Sequence, residues 1–152
     1  MQPILALVLA AIIPSLASAD DPVSDPSDAI IRPAGDTDLG TFLWTSRPVV
    51  VFADSPADPR FIEQMELLGE ELDMLAEREV VVLTDTDPAA RSPARLKLRP
   101  RGFMLVLIGK DGTVELRKPL PWTVRELTRS IDKMPIRQRE IEERHAPSLI
   151  GN

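Results

Sequence analysis

The 152-residue sequence contains no cysteine. That excludes disulfides, thiol–disulfide exchange, a peroxidatic cysteine and a cysteine-borne lipid, because each needs a sulfur atom. Histidine occurs once, at His145 in a charged segment. A lone imidazole there excludes a multi-histidine metal site and is a poor basis for a catalytic triad. Aromatic residues make up 4% of the chain, and 24 acidic side chains outnumber 18 basic ones, a net charge of −6. An acidic chain with few stacking rings is not a general nucleic-acid binder. Apolar runs are short. The longest, Ile4 to Ile13, falls well below the roughly 20 residues that span a bilayer.

That run is followed by Ala17-Ser18-Ala19, a small-x-small site just ahead of Asp20. Residues 1–19 therefore read as an export signal, although Met1-Gln2-Pro3 carries no basic side chain. A retained membrane anchor is the alternative; the short apolar stretch and the cleavage site favour removal. The remaining chain is long enough for one domain with a real core. The expected product is a soluble periplasmic or secreted protein with no stable membrane insertion after cleavage, and its stability rests on packing alone. Residues 20–38 are rich in Asp, Pro and Ser, with Ile30-Ile31 as the apolar pair. Such a composition buries too little surface to offset chain entropy, so a disordered linker is expected. The domain is expected over 39–145, with a flexible tail over 146–152.

Within the domain the pattern alternates. Val49 to Ala53 and Val80 to Leu83 are β-branched runs of buried-strand type. Between them Asp58-Pro59 is a helix start. Phe61, Met65, Leu68, Leu72 and Leu75 follow at spacings of three and four, the stripe of a one-sided helix. Asp87-Pro88 and Ser92-Pro93 are two further starts, so close together that only short helical turns fit. Phe103 to Ile108 is a third strand. Gly109-Lys110-Asp111-Gly112 is a tight turn, and Thr113 to Arg117 returns with Val114 and Leu116 expected inward. Thr123-Val124-Arg125-Glu126 is a capping box, with Trp122 and Leu127 placed as a hydrophobic staple. Pro135 ends that helix, and Ile136 to His145 is expected as a short surface helix. Trp44 and Trp122 are expected in the core or the staple.

Right-handed crossovers make the first two strands parallel, and the hairpin adds an antiparallel pair. The expected fold is α/β and thioredoxin-like: a four-stranded mixed sheet in the order β-α-β-α-β-β-α, with helices on both faces. Two stretches are more distinctive, Leu107-Ile108-Gly109-Lys110-Asp111-Gly112 and Ile131-Asp132-Lys133-Met134-Pro135-Ile136-Arg137-Gln138-Arg139-Glu140. In this order they resemble domain-of-unknown-function family 4174. That is a thioredoxin-like family of exported bacterial proteins, related to a domain of some vertebrate secreted matrix proteins. The resemblance covers about Leu39 to Glu140. It implies a fold but no established reaction, and neither a catalytic residue nor a cofactor carries over. An overlay on the thioredoxin strand-turn-helix places Ala57-Asp58-Pro59-Arg60 where that enzyme has Cys-Gly-Pro-Cys. The proline matches and both sulfurs are missing, so a redox-inactive module that acts by binding is expected.

Three groups of side chains are candidates. Arg91, Arg95, Lys97, Arg99 and Arg101 put five cations within eleven residues. Together with Arg60 at a helix start, they suit an anionic ligand or an acidic protein partner. Asp54, Asp85 and Asp87 close the first two strands, whose ends lie roughly 5 Å apart if the strands are neighbours. Converging there, they would hold Ca²⁺ or Mg²⁺ and give a metal-assisted hydrolase, the alternative to a binding module. The plain reading of these acids is helix caps and solvated loops. The motif residues Gly109, Lys110, Asp111, Gly112, Asp132, Met134, Pro135 and Arg137 form the third group. For Arg137 and Arg139, with Asp132, Glu140, Glu142 and Glu143 nearby, the plain reading is a salt-bridge set that fastens the C-terminal segment. An exposed partner surface is the other.

Overall fold

The computed structural model describes residues 25–146. The expected signal at 1–19, residues 20–24 of the expected linker and all but Ala146 of the expected tail at 146–152 lie outside the described residues. The element order is α1 (Pro26–Ile30), β1 (Ile31–Pro33), a 3-10 turn (Leu39–Phe42), β2 (Arg47–Phe52), α2 (Pro59–Glu70), α3 (Leu72–Glu77), β3 (Val80–Asp85), a second 3-10 turn (Pro88–Ala90), α4 (Pro93–Leu98), β4 (Met104–Ile108), β5 (Val114–Lys118), α5 (Val124–Asp132) and α6 (Pro135–His145). Among the described residues no helix is long and apolar enough to cross a membrane.

The strands form one sheet in the order β1-β3-β2-β4-β5. β1, β3 and β2 run parallel, while β4 is antiparallel to β2 and β5 to β4. The sheet therefore has five strands, one more than the sequence suggested. The extra strand comes from the stretch expected to be a linker. β3 would otherwise end the sheet with a free row of backbone donors and acceptors. Ile31 pairs with Val82 and Pro33 with Thr84, and Ala34 N–H donates to Thr84 O at 2.9 Å. Ile30 and Ile31 pack on the core, so this single apolar pair anchors the segment despite its polar surroundings. Proline is tolerated in β1 because the strand lies at an edge.

Alternation along the strands divides the core into two layers. Val49, Val51, Val82, Leu105 and Leu107 pack under Leu68, Leu75, Val124, Leu127 and Ile131 of the helices on one face. Val50, Phe52, Leu83, Val106 and Ile108 face Leu39, Phe42, Ala94 and Leu98 on the other. The long helix expected after Pro59 is two helices, because the chain departs from helical geometry at Glu71 (φ −135°, ψ 49°), two residues past the poor helix former Gly69. The capping box closes as expected: Thr123 Oγ1 accepts from Glu126 N–H and Glu126 Oε2 accepts from Thr123 N–H. Val114 does not turn inward. It is 39% exposed, because the β4–β5 register shifts between Leu107 and Ile108.

Trp44 is the larger departure. It is 69% exposed and adopts φ 63°, a left-handed conformation that is an outlier for a bulky residue. Its N–H donates to Lys110 O at 2.8 Å, and Thr45 and Ser46 N–H both donate to Phe42 O. These bonds over-determine the turn and hold the indole outside.

Candidate functional site

At the carboxyl ends of β3 and β2 the local sequence Ser92-Pro93-Ala94-Arg95 builds a clamp. Ser92 caps α4 by accepting from Arg95 N–H at 3.1 Å. That start turns Arg95 inward. Its Nη2 donates to Asp85 Oδ1 at 2.9 Å and to Ala53 O at 3.0 Å, and its guanidinium lies over the Phe52 ring at 5.3 Å. Ser92 Oγ donates to Asp85 Oδ2 at 2.5 Å, and Asp87 N–H donates to Oδ1 at 3.2 Å. Burial pushes the Asp85 carboxyl up, but Arg95, the Ser92 hydroxyl and Asp87 N–H together outweigh it and hold it below the usual carboxylate range. A cleft of about 300 Å³ opens beside the clamp, between Pro33–Asp36 and Thr84–Ser92.

This geometry separates the candidates. Arg95 belongs to the interior and is not available to a ligand. Arg91, Lys97, Arg99 and Arg101 are exposed and form no ion pair among the described residues. Arg117 of β5 joins them, its Nη1 donating to Leu98 O at 2.6 Å. Asp54, Asp85 and Asp87 do not converge. Asp54 is exposed, Asp85 is taken by Arg95, and Asp87 caps the turn at Ala89 N–H. Among the described residues no group of three acidic or histidine side chains is placed to hold a metal ion. The hydrolase alternative therefore loses its constellation, because each carboxylate already serves a nearby donor or faces solvent.

At the thioredoxin-equivalent turn, Asp58 caps α2 by accepting from Arg60 N–H at 2.9 Å. Arg60 Nε lies 3.6 Å from the same carboxylate, and its guanidinium sits 5.8 Å from the Phe103 ring centroid. The helix start is thus answered by its own acid, and the Arg60 guanidinium rests against Phe103, two residues beyond Arg101.

The motif residues gather at the opposite, amino end of the parallel strands. Lys110 extends from the β4–β5 turn, where Gly112 (φ 80°) takes the left-handed position and Asp111 Oδ1 accepts from Thr113 N–H. Lys110 Nζ meets Glu140 Oε1 at 2.8 Å and also pairs with Glu79. Arg47, fully buried, reaches the same Glu140 oxygen at 2.9 Å and donates to Arg78 O at 2.8 Å. Arg137, 2% exposed, lies 3.4 Å from Glu140 Oε2, 3.5 Å from Asp132 and 3.6 Å from Glu77. Arg78 makes a two-bonded fork with Asp132, both bonds at 2.9 Å. That fork holds Asp132 below, and Arg78 above, their ordinary ranges. Burial alone would raise the Glu140 carboxyl; Lys110 and Arg47 override it and bring it down to about 2. Met134 is buried against the first core layer and Pro135 opens α6. Of the set expected around Arg137, only Arg137, Asp132 and Glu140 pair, joined by Glu77, whereas Arg139, Glu142 and Glu143 form no ion pair among the described residues. Sequence reasoning missed Arg47, Arg78 and Glu79. The available signal was a charged residue at the head of a buried strand run.

The sequence profile described as "Domain of unknown function (DUF4174)" matches residues 38–140. The chain belongs to this family. A search of curated proteins finds no match. Among solved structures, the reduced 2-Cys peroxiredoxin of Plasmodium vivax is similar at a TM-score of 0.53 and 15% identity, covering 72% of this chain and 86% of that one. The Prx1a protein of Plasmodium yoelii is similar at a TM-score of 0.50 and 18% identity, covering 76% and 87%. Likeness at such identities shows the fold alone, and that fold is thioredoxin-like α/β.

Proposed function

We propose that this DUF4174 protein is an exported, redox-inactive binding module, periplasmic or secreted, that holds an anionic partner on a basic arm. The arm is Arg91, Lys97, Arg99 and Arg101, with Arg117 beside it. The observation that carries this reading is the backbone at Arg91 and Arg99, both left-handed with φ 49°. One closes the second 3-10 turn and the other closes α4. Glycine is favoured at such caps, and an L-side chain costs about 1 kcal/mol there. Arginine at both positions, exposed and without an acidic partner among the described residues, supplies charge at the expense of local backbone ease. No acidic residue occurs from Pro88 to Lys110, so the arm keeps its positive field within an acidic protein. The missing thiols, with Ala57 and Arg60 at the thioredoxin positions, support the redox-inactive part.

Fluorescence anisotropy with labelled polyglutamate and polyphosphate tests the arm. The full chain should bind, with affinity falling as salt rises. The triple reversal K97E/R99E/R101E should lose at least about tenfold, since each reversal replaces attraction by repulsion. Equal binding by both proteins removes the arm from the proposal.

A further inference from the structure

α6 is fastened to the domain in an unusual way. Its buried side chain is Arg137, and neither Ile136 nor Ile141 belongs to either core layer. Its start at Met134 has no side-chain cap. A helix that is polar nearly all round has little hydrophobic reason to dock. Its attachments are Glu140 to Arg47 and Lys110, Arg137 to Asp132 and Glu77, and Gln138 Nε2 to Asp132 O.

The receiving side is built without α6. Arg47 belongs to β2 and is oriented by its bond to Arg78 O; Lys110 is set by the tight turn and paired with Glu79. Both cations converge on one carboxylate oxygen at 2.9 and 2.8 Å, with charge-assisted geometry. Glu140 lines two clefts, of about 290 and 160 Å³. The first is bordered by Glu79, Lys110, Glu143 and Arg144, the second by exposed Trp44, Ile136 and Arg139. The Glu140 side chain is 18% exposed, so the pairing is not sealed from solvent.

We infer that Arg47 and Lys110 form a carboxylate-binding site, that Glu140 fills it from within the chain, and that α6 is a displaceable strap. When α6 lifts, the site takes the carboxylate of an acidic peptide in its place. This site lies at the opposite end of the sheet from the basic arm and does not depend on it. The charged groups around Glu140 are Arg47 from β2, Lys110 from the turn, Arg137, Glu143 and Arg144 from α6, and Glu79 ahead of β3. Its lowered pKa, about 2, keeps it an anion at every physiological pH.

Chemical rescue is the direct test. In the full-chain variant E140A, sodium acetate should raise the melting temperature above that in sodium chloride of equal ionic strength. Wild type should show no difference, and the double variant R47M/E140A should lose the rescue. Acetate acting no better than chloride on E140A overturns the carboxylate site. Hydrogen exchange on E140Q tests the strap and serves if E140A does not fold. Amides of Ile136–His145 should exchange at least about tenfold faster, with those of Met104–Ile108 unchanged. Equal acceleration of both segments, or of neither, overturns it.

Discussion

The two ends of the parallel strands use the same chemistry for different purposes. At the carboxyl end, Asp85, Ser92 and Arg95 lie within eleven positions of one another and lock a short helix against the strand it follows. At the amino end, Arg47, Arg78, Lys110 and Arg137 balance Glu77, Glu79, Asp132 and Glu140, and these come from five separate parts of the chain. The first arrangement organises a loop and leaves surplus cations outside it. The second spends its charges internally and fastens a polar helix that the core does not hold. Ion pairing within a turn is cheap in loop-closure entropy, whereas pairing across the whole chain depends on the sheet being formed already.

That contrast can be broken most sharply at the buried arginine. Arg47→Met removes one of the cations on Glu140 and leaves Arg78 O without its donor. Losing one side of a buried pair costs about 3 kcal/mol, and urea unfolding should show it. Asp85→Asn removes the charge and keeps one acceptor oxygen, so Arg95 on Oδ1 or Ser92 on Oδ2 loses its acceptor, which should cost about 2 kcal/mol. The double variant should equal the sum within about 0.5 kcal/mol, because the two clusters share no partner. A clear excess or deficit would show the two ends to be energetically one network.

A smaller effect separates the ends by pH. The folded pKa values of Asp85, Asp132 and Glu140 all lie below their ordinary ones. A carboxyl with a depressed folded pKa adds stability that is complete above its unfolded pKa and is lost as pH falls through the folded one. For Glu140 that window runs from 4.5 down to about 2. Melting temperature should fall across it, and E140Q should flatten part of the descent while Asp85 and Asp132 still titrate. A descent of unchanged slope in E140Q would assign the acid sensitivity to the carboxyl end and to Asp132.

What could be read from the sequence follows the same division. Features fixed by neighbours in the chain were legible: the strand runs at Val49 and Val80, the Asp58-Pro59 start, the Thr123 capping box, the Gly109–Gly112 turn. Ser92-Pro93 was legible as a helix start, but its consequence was not. Five cations in eleven residues look equivalent in the sequence. Only the helix phase shows that Arg95 faces the strand while Lys97 and Arg99 face water. Features set by distant partners were illegible. β1 exists because β3 has a free edge, Trp44 is held out by Lys110 O, and Arg47 meets Glu140 across 93 positions. No local pattern records such a meeting.

The smallest expected change bears on the claim that charge, not fit, explains the basic arm. Arg99 closes α4 with φ 49° and is exposed. Arg99→Gly removes the clash between Cβ and the backbone at that angle and should stabilise the domain by up to about 1 kcal/mol. Glycine's extra freedom in the unfolded chain offsets part of the gain. The helix keeps Arg95 and Lys97 in its last turn, so the favourable interaction with its dipole largely survives. If the arm holds anions, the more stable variant should bind polyglutamate more weakly than wild type. Opposite signs for stability and binding are what a residue kept for its charge must show. A variant that gains stability and binds unchanged would make Arg99 an ordinary, slightly strained cap, and the same comparison at Arg91 would then decide whether the arm has any function beyond solubility.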